Sequence, residues 1–120
     1  MIDINSKYLQ VVKKILWQYV PECEVWAFGS RCKGNAKPYS DLDLAVINTK
    51  KLDIKIMYKL RDAFEESNLP IRVDVLDWHA ISNEFKDIIK ANHEVIIDRN
   101  KKPKENLHKQ EKGNYSSKSD

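Results

Sequence analysis

The sequence predicts an α/β (α+β) domain: a small mixed β-sheet flanked by helices. Three observations carry this. The 120 residues suffice for one domain of ordinary size. Apolar residues recur at steps of three and four in three segments and gather in short runs between them. Gly, Pro and Asn mark the boundaries. The resulting order is helix, strand, loop, strand, helix, strand, helix and a short closing strand.

Residues 5–19 form the first predicted helix. Ser6 stands where a cap belongs, and Leu9, Val12, Leu16 and Tyr19 fall on one face. Pro21 ends it. Residues 23–28 alternate only partly, as a largely buried strand does. Residues 29–40 hold Gly29, Gly34, Asn35, Pro38 and two serines, which makes them a loop with one helical turn. Residues 41–47 form a second strand. A helix over 51–67 places Leu52, Ile56, Leu60 and Phe64 at repeated i+4 spacing, until Asn68 and Pro70 stop it. Ile71–Leu76 is a third strand. Asp77 then caps a helix with the stripe Ile81, Phe85, Ile88 and Ile89. Glu94–Ile97 closes the body.

Charge is unevenly placed. The net +3 resides in the segment from Arg99 onward, where seven basic residues face three acidic ones. Residues 1–98 are close to neutral, which argues against a wholly basic nucleic-acid-binding domain. Residues 99–120 have only Leu107 and Tyr115 as sizeable apolar side chains, too few to offset the entropy of ordering. They are expected to be a basic, disordered tail, with nucleic acid contacted weakly at most. No apolar run approaches the ~20 residues of a membrane span, and the first residues do not resemble a signal peptide. Cys23 and Cys32 are too few for a disulfide framework or a zinc site. The expected setting is the reduced cytoplasm.

The chemistry concentrates in Gly29-Ser30-Arg31 and Ser40-Asp41-Leu42-Asp43-Leu44. Side chains alternate along a strand, so Asp41 and Asp43 point the same way, about 7 Å apart at Cα. Leu42 and Leu44 then point into the core. Two such carboxylates can share a pair of divalent ions ~3.5–4 Å apart, the arrangement for in-line nucleotidyl displacement. Mg²⁺ suits them, being hard and leaving positions open for phosphate oxygen. Gly29 lets backbone N–H groups approach a phosphate, Ser30 adds a hydroxyl donor, and Arg31 and Lys33 can neutralise charge. A Walker A loop is excluded, because Asn35-Ala36 stands where Lys-Ser/Thr is required. A third carboxylate should come from a neighbouring strand. Asp74 and Asp77 have opposite parity; mid-strand Asp74 is the better candidate, since Asp77 has a structural task as a cap. His79, His93 and His108 have no metal-ligand partner at helical spacing. Trp17, Trp26 and Trp78 are assigned to packing, with Trp78 a candidate contact for a base or a partner.

Gly29-Ser30, ten intervening residues, Asp41-x-Asp43 after Ser40, and the later Val73-Asp74 strand resemble the nucleotidyltransferase superfamily typified by DNA polymerase beta. The size and Gly29-Ser30-Arg31-x-x-Gly34 resemble more closely its minimal prokaryotic members, over residues 5–98. The resemblance implies a polymerase-beta-like fold in a domain spanning 1–98. It implies that Gly29, Ser30, Arg31 and Ser40 bind the nucleotide, and that Asp41, Asp43 and Asp74 are catalytic and hold two Mg²⁺ ions. Asp74 would also help to deprotonate the acceptor hydroxyl. It further implies an antitoxin that transfers AMP from ATP to a tyrosine of a partner HEPN toxin, with which it could form an oligomer. A small-molecule hydroxyl acceptor and a non-catalytic antitoxin that neutralises by binding are the alternatives. Cys32-Lys33 departs mildly from the small-then-Arg pattern usual there.

Overall fold

The computed structural model describes residues 2–99. Beyond Arg99 itself, the expected tail lies outside the described residues. The chain runs α1 (Ser6–Tyr19), β1 (Glu24–Phe28), α2 (Ser30–Lys33), β2 (Leu42–Ile47), α3 (Ile54–Glu65), β3 (Val73–Asp77), a 3₁₀ turn (Trp78–Ala80), α4 (Asn83–Ala91) and β4 (Glu94–Ile97).

Four strands pair in the order β3-β2-β1-β4. Strand β1 is antiparallel to β2 and to β4, and β2 is parallel to β3. The sheet is therefore mixed, as the sequence predicts. Parity then sorts the side chains. Val25, Ala27, Leu42, Leu44, Val46 and Val75 share one face and meet Val12 and Leu16 of α1 and Met57, Leu60 and Phe64 of α3. These residues are the core. On the opposite face, Trp26 and Phe28 meet Trp78, Phe85 and His93, so the 3₁₀ turn and α4 cover part of it. Among the described residues no helix is long and apolar enough to cross a membrane.

Several boundaries differ from expectation for local reasons. The cap of α1 is Asn5, not Ser6: its side chain accepts the Lys7 N–H at 2.8 Å. Helix α3 begins at Ile54 rather than 51, because Asp53 caps it through Lys55 N–H and the Leu52 amide is committed to the Asp77 carboxylate. Asp77 caps the 3₁₀ turn by accepting His79 N–H, while Ser82 caps α4 through Phe85 N–H. The stripe of α4 is narrower than expected: Ile89 is buried, but Ile88, 100° round the helix, is 60% exposed. Cys32 lies within α2, and Cys23 is buried just before β1 with its thiol pushed up to about 11 by burial and the nearby Asp77 charge.

Asp77 is 6% exposed on the core side of β3, opposite Val46. Its two oxygens take different amides, Leu52 at 2.9 Å and His79 at 3.0 Å. The sequence alone makes Asn an equal substitute, since Asn caps as well as Asp. The structure revises this, because an amide offers one acceptor oxygen and would turn an NH₂ towards a second N–H. Asp77→Asn is expected to lower stability by about 1–3 kcal/mol while the folded variant keeps its activity. Urea unfolding beside a transfer assay checks both halves; unchanged unfolding would mean that only one of the two bonds matters.

Candidate active site

The site is built by strand register. Phe28 at the end of β1 is paired with Asp43 of β2, and Asp43 is paired with Asp74 of β3. Residues paired in register share a face, so Asp43 and Asp74 stand side by side on adjacent strands, about 5 Å apart at the backbone. They lie on the face opposite the α1/α3 core. Asp41 precedes β2 by one residue and is exposed. Leu42 and Leu44, fully buried, anchor the strand from the other side.

Asp74 and Asp41 act electrostatically on Asp43. Asp43 is half-buried and pushed from 3.8 up to about 6, first by burial, then by the charges of Asp74 and Asp41, with Arg72 partly opposing. Burial and like charge act together here, each disfavouring the charged form of Asp43.

Gly29 completes the row. It has φ 82° and ψ −158°, and a Cβ built on it would collide with Asp43 Oδ2. The absent side chain lets the carboxylate lie against the backbone of the turn. Ser30 opens α2 directly after it, and Gly34, at φ 80°, closes that helix in the left-handed region.

Two of the residues expected to contact nucleotide, Arg31 and Ser40, have partners within the protein. Arg31 is buried, and its guanidinium donates to the backbone carbonyls of Asp3, Lys37, Pro38 and Ser40 at 2.7–3.4 Å. Those carbonyls need donors, and the planar fork supplies them in several directions. The Ser40 hydroxyl accepts the Lys37 N–H at 2.8 Å and so closes a turn. Sequence reasoning also missed Arg72. It is exposed, shares parity with Asp74, and is the positive charge that acts on Asp43. Counting back two from Asp74 would have found it.

The aromatic cluster on this face is well packed. Trp26 stacks on His93 with centroids 3.9 Å apart and meets Trp78 edge-on at 5.2 Å. The ammonium groups of Lys86 and Lys90 lie 5.8 and 6.0 Å from the Trp78 ring. His79 Nε2 lies 2.7 Å from the Asn48 carbonyl.

Among the described residues no three His, Cys, Asp or Glu side chains close into a cage for a metal ion. Mg²⁺ does not need one: it characteristically takes one or two carboxylates and completes its octahedron with water and phosphate oxygen. The Asp43–Asp74 pair, its oxygens crowded by mutual charge, fits such an ion.

A mixed sheet that sets paired carboxylates against a Gly-Ser turn defines a class, the nucleotidyl-transferring enzymes. Residues 10–102 match the family described as Polymerase beta, Nucleotidyltransferase, and the chain belongs to it. It is 52% identical over 100 residues to the probable protein adenylyltransferase MntA of Haemophilus influenzae, covering 83% of this chain and 88% of that one. Its fold is similar to that of a toxin–antitoxin crystal structure with AMP-PNP, at TM-score 0.63 and 23% identity over 74% of this chain and 72% of the other. It is similar also to a complex of tri-AMPylated Shewanella oneidensis HEPN toxin with MNT antitoxin, at TM-score 0.60 and 21% identity over 78% and 72%. As a member of the family the chain is an enzyme that takes a nucleotide substrate, typically with a metal.

Proposed function

We propose that this chain is a Mg²⁺-dependent adenylyltransferase that transfers AMP from ATP to a tyrosine hydroxyl of a partner HEPN toxin, and so acts as its antitoxin in the cytoplasm. The observation that carries this is the Asp43–Asp74 register against Gly29, in a chain 52% identical to a probable protein adenylyltransferase. The fold neighbours with AMP-PNP and with an AMPylated HEPN toxin point the same way. The body is residues 1–98, and 99–120 form an appended basic tail. A body this small has little surface from which to build an acceptor pocket, which favours a partner chain as the source of the acceptor.

Asp41, Asp43 and Asp74 would hold the metal, two ions on this reading, which when bound supplies charge neutralisation for the triphosphate. Gly29 and Ser30 offer the turn against which the phosphates lie. Asp74 would accept the proton of the incoming hydroxyl, a role supported by its exposed position on the edge strand. That oxygen attacks the α-phosphorus of ATP, the bond to the β-phosphate oxygen breaks, and pyrophosphate leaves. Arg72 on the same face balances part of the carboxylate charge.

The test is transfer of label from α-labelled ATP, with Mg²⁺, to a HEPN-domain partner protein. The wild type should label a tyrosine of that partner, and Asp41→Asn or Asp74→Asn should lose at least about 10³-fold in rate, as removal of a charge-stabilising group does. Variants that label as well as the wild type would refute the site. A wild type that protects against the toxin without any labelling would make it a binding-only antitoxin.

A further inference from the structure

Arg31 is a buried cation, 6% exposed, whose hydrogen bonds go to backbone carbonyls. Its Nε and Nη2 both donate to Ser40 O, at 3.0 and 2.8 Å; Nη2 also reaches Pro38 O at 3.1 Å and Lys37 O at 3.4 Å. Nη1 donates to Asp3 O at 2.7 Å, and Asp3 N–H donates back to Arg31 O at 2.7 Å. A single side chain thus ties the N-terminal segment, α2 and the 37–40 turn together. The turn is also closed on itself, with Ser40 N–H donating to Lys37 O at 3.0 Å and Lys37 N–H to the Ser40 hydroxyl.

The consequence falls on Asp41. It is exposed and lies outside β2, so the sheet ladder does not hold it. What precedes it in the chain is Ser40, whose carbonyl takes two N–H groups of Arg31. We propose that Arg31 is a positioning residue for the transfer reaction: by clamping the carbonyls of Lys37, Pro38 and Ser40 it fixes the turn from which Asp41 projects beside Asp43. The fork geometry does this, not the charge. A lysine would keep the charge, but its donors radiate from one nitrogen and cannot span carbonyls on several sides. The proposal rests on the reading of Asp41 as a metal-holding carboxylate.

The experiment compares wild type, Arg31→Lys, Arg31→Ala and a chain with one glycine inserted between Lys37 and Pro38, which keeps Arg31 but separates its acceptors. Two readouts are taken. The first is amide hydrogen exchange of residues 37–42 in the protein without metal or nucleotide, with β1 and β2 amides as the internal measure of folding. The second is transfer to the partner, as kcat, KM for ATP and the Mg²⁺ concentration giving half-maximal rate. Within that segment, the amides of 37–41 should lose protection by at least 10-fold in all three variants while the β1 and β2 amides, Leu42 included, stay protected. The variants should lose about 10–100-fold in kcat, as supporting-residue variants do. KM for ATP should stay within about threefold, and the Mg²⁺ midpoint should rise. Methylguanidinium at millimolar concentration should restore part of the rate to Arg31→Ala. Arg31→Lys with wild-type kcat, or Arg31→Ala with raised KM for ATP and unchanged kcat, would overturn the proposal in favour of a phosphate contact. Unchanged exchange in 37–41 would overturn it outright. If the wild type transfers nothing, the adenylyltransferase reading fails on that result, and the exchange data alone decide the clamp.

Discussion

Replacing Asp43 with Asn should abolish transfer and yet raise the melting temperature of the metal-free protein at neutral pH. The sign follows from the shift. A carboxyl raised from 3.8 to about 6 in the folded state holds its proton more tightly folded than unfolded. Its stabilising contribution is therefore present in full below about pH 4 and is lost as pH rises through 6. A rise of that size corresponds to roughly 3 kcal/mol. Asp43 is only half-buried, so solvent screening reduces this to about 1–2 kcal/mol. For a domain of this size that is a gain of about 4–12 °C in Asp43→Asn. The wild type without metal should melt higher at pH 5 than at pH 7.5, and the variant should show little of that slope. Mg²⁺ should raise the wild-type melting temperature at pH 7.5 by mass action, less so at pH 5 where the proton competes, and should leave the variant unmoved. Melts of the two proteins with and without Mg²⁺, at both pH values, decide this. Equal temperatures throughout would mean that the carboxylates do not converge on a cation. The transfer assay is the independent arm, with a loss of at least about 10³-fold expected.

Gly29→Ala should be nearly as damaging, for two separable reasons. The backbone at φ 82° and ψ −158° lies in a region populated essentially by glycine, and forcing a side chain into it costs about 1–3 kcal/mol. The new methyl would also occupy the place of Asp43 Oδ2, so the carboxylate must swing away or the turn must open. Either movement misplaces the reacting groups, and about 10²-fold or more in rate should be lost. A double-mutant cycle separates the two causes. Asp43→Ala beside Gly29→Ala removes the collision but not the strain, so the pair should be less destabilising than the sum of the singles by about 1 kcal/mol. Strict additivity would show that the collision is relieved by other means.

Local pattern reaches its limit at particular residues. The apolar stripe of α1, the breaks at Pro21 and Pro70, and the buried Leu42 and Leu44 follow from periodicity and backbone chemistry within a few neighbours. These made every strand and the long helices legible, to within a few residues at their ends. Helix α3 starts late because the Leu52 amide is held by Asp77, a partner 25 positions away, and no window of local sequence contains that bond. The late start of α4 has a local cause that remained hidden, the choice of Ser82 over Asp77 as its cap.

The Asp41-x-Asp43 spacing, the Gly29-Ser30 turn and the parity argument that separates Asp74 from Asp77 are properties of the sequence, because strand alternation is fixed by backbone geometry alone. What pairs Asp43 with Asp74 is the register of a parallel strand pair, set by how the Leu and Val side chains on the other face fill the core. Part of the upward shift of Asp43 follows from that register, whereas the need for glycine at position 29 follows from the antiparallel β1–β2 register, which pairs Phe28 with Asp43. Arg31 marks the sharpest division. In the sequence it is a cation beside a turn expected to bind phosphate. Only the folded chain brings the carbonyls of Asp3, Lys37, Pro38 and Ser40 around it, and buried carbonyls must find donors, so it is drawn inward as a clamp.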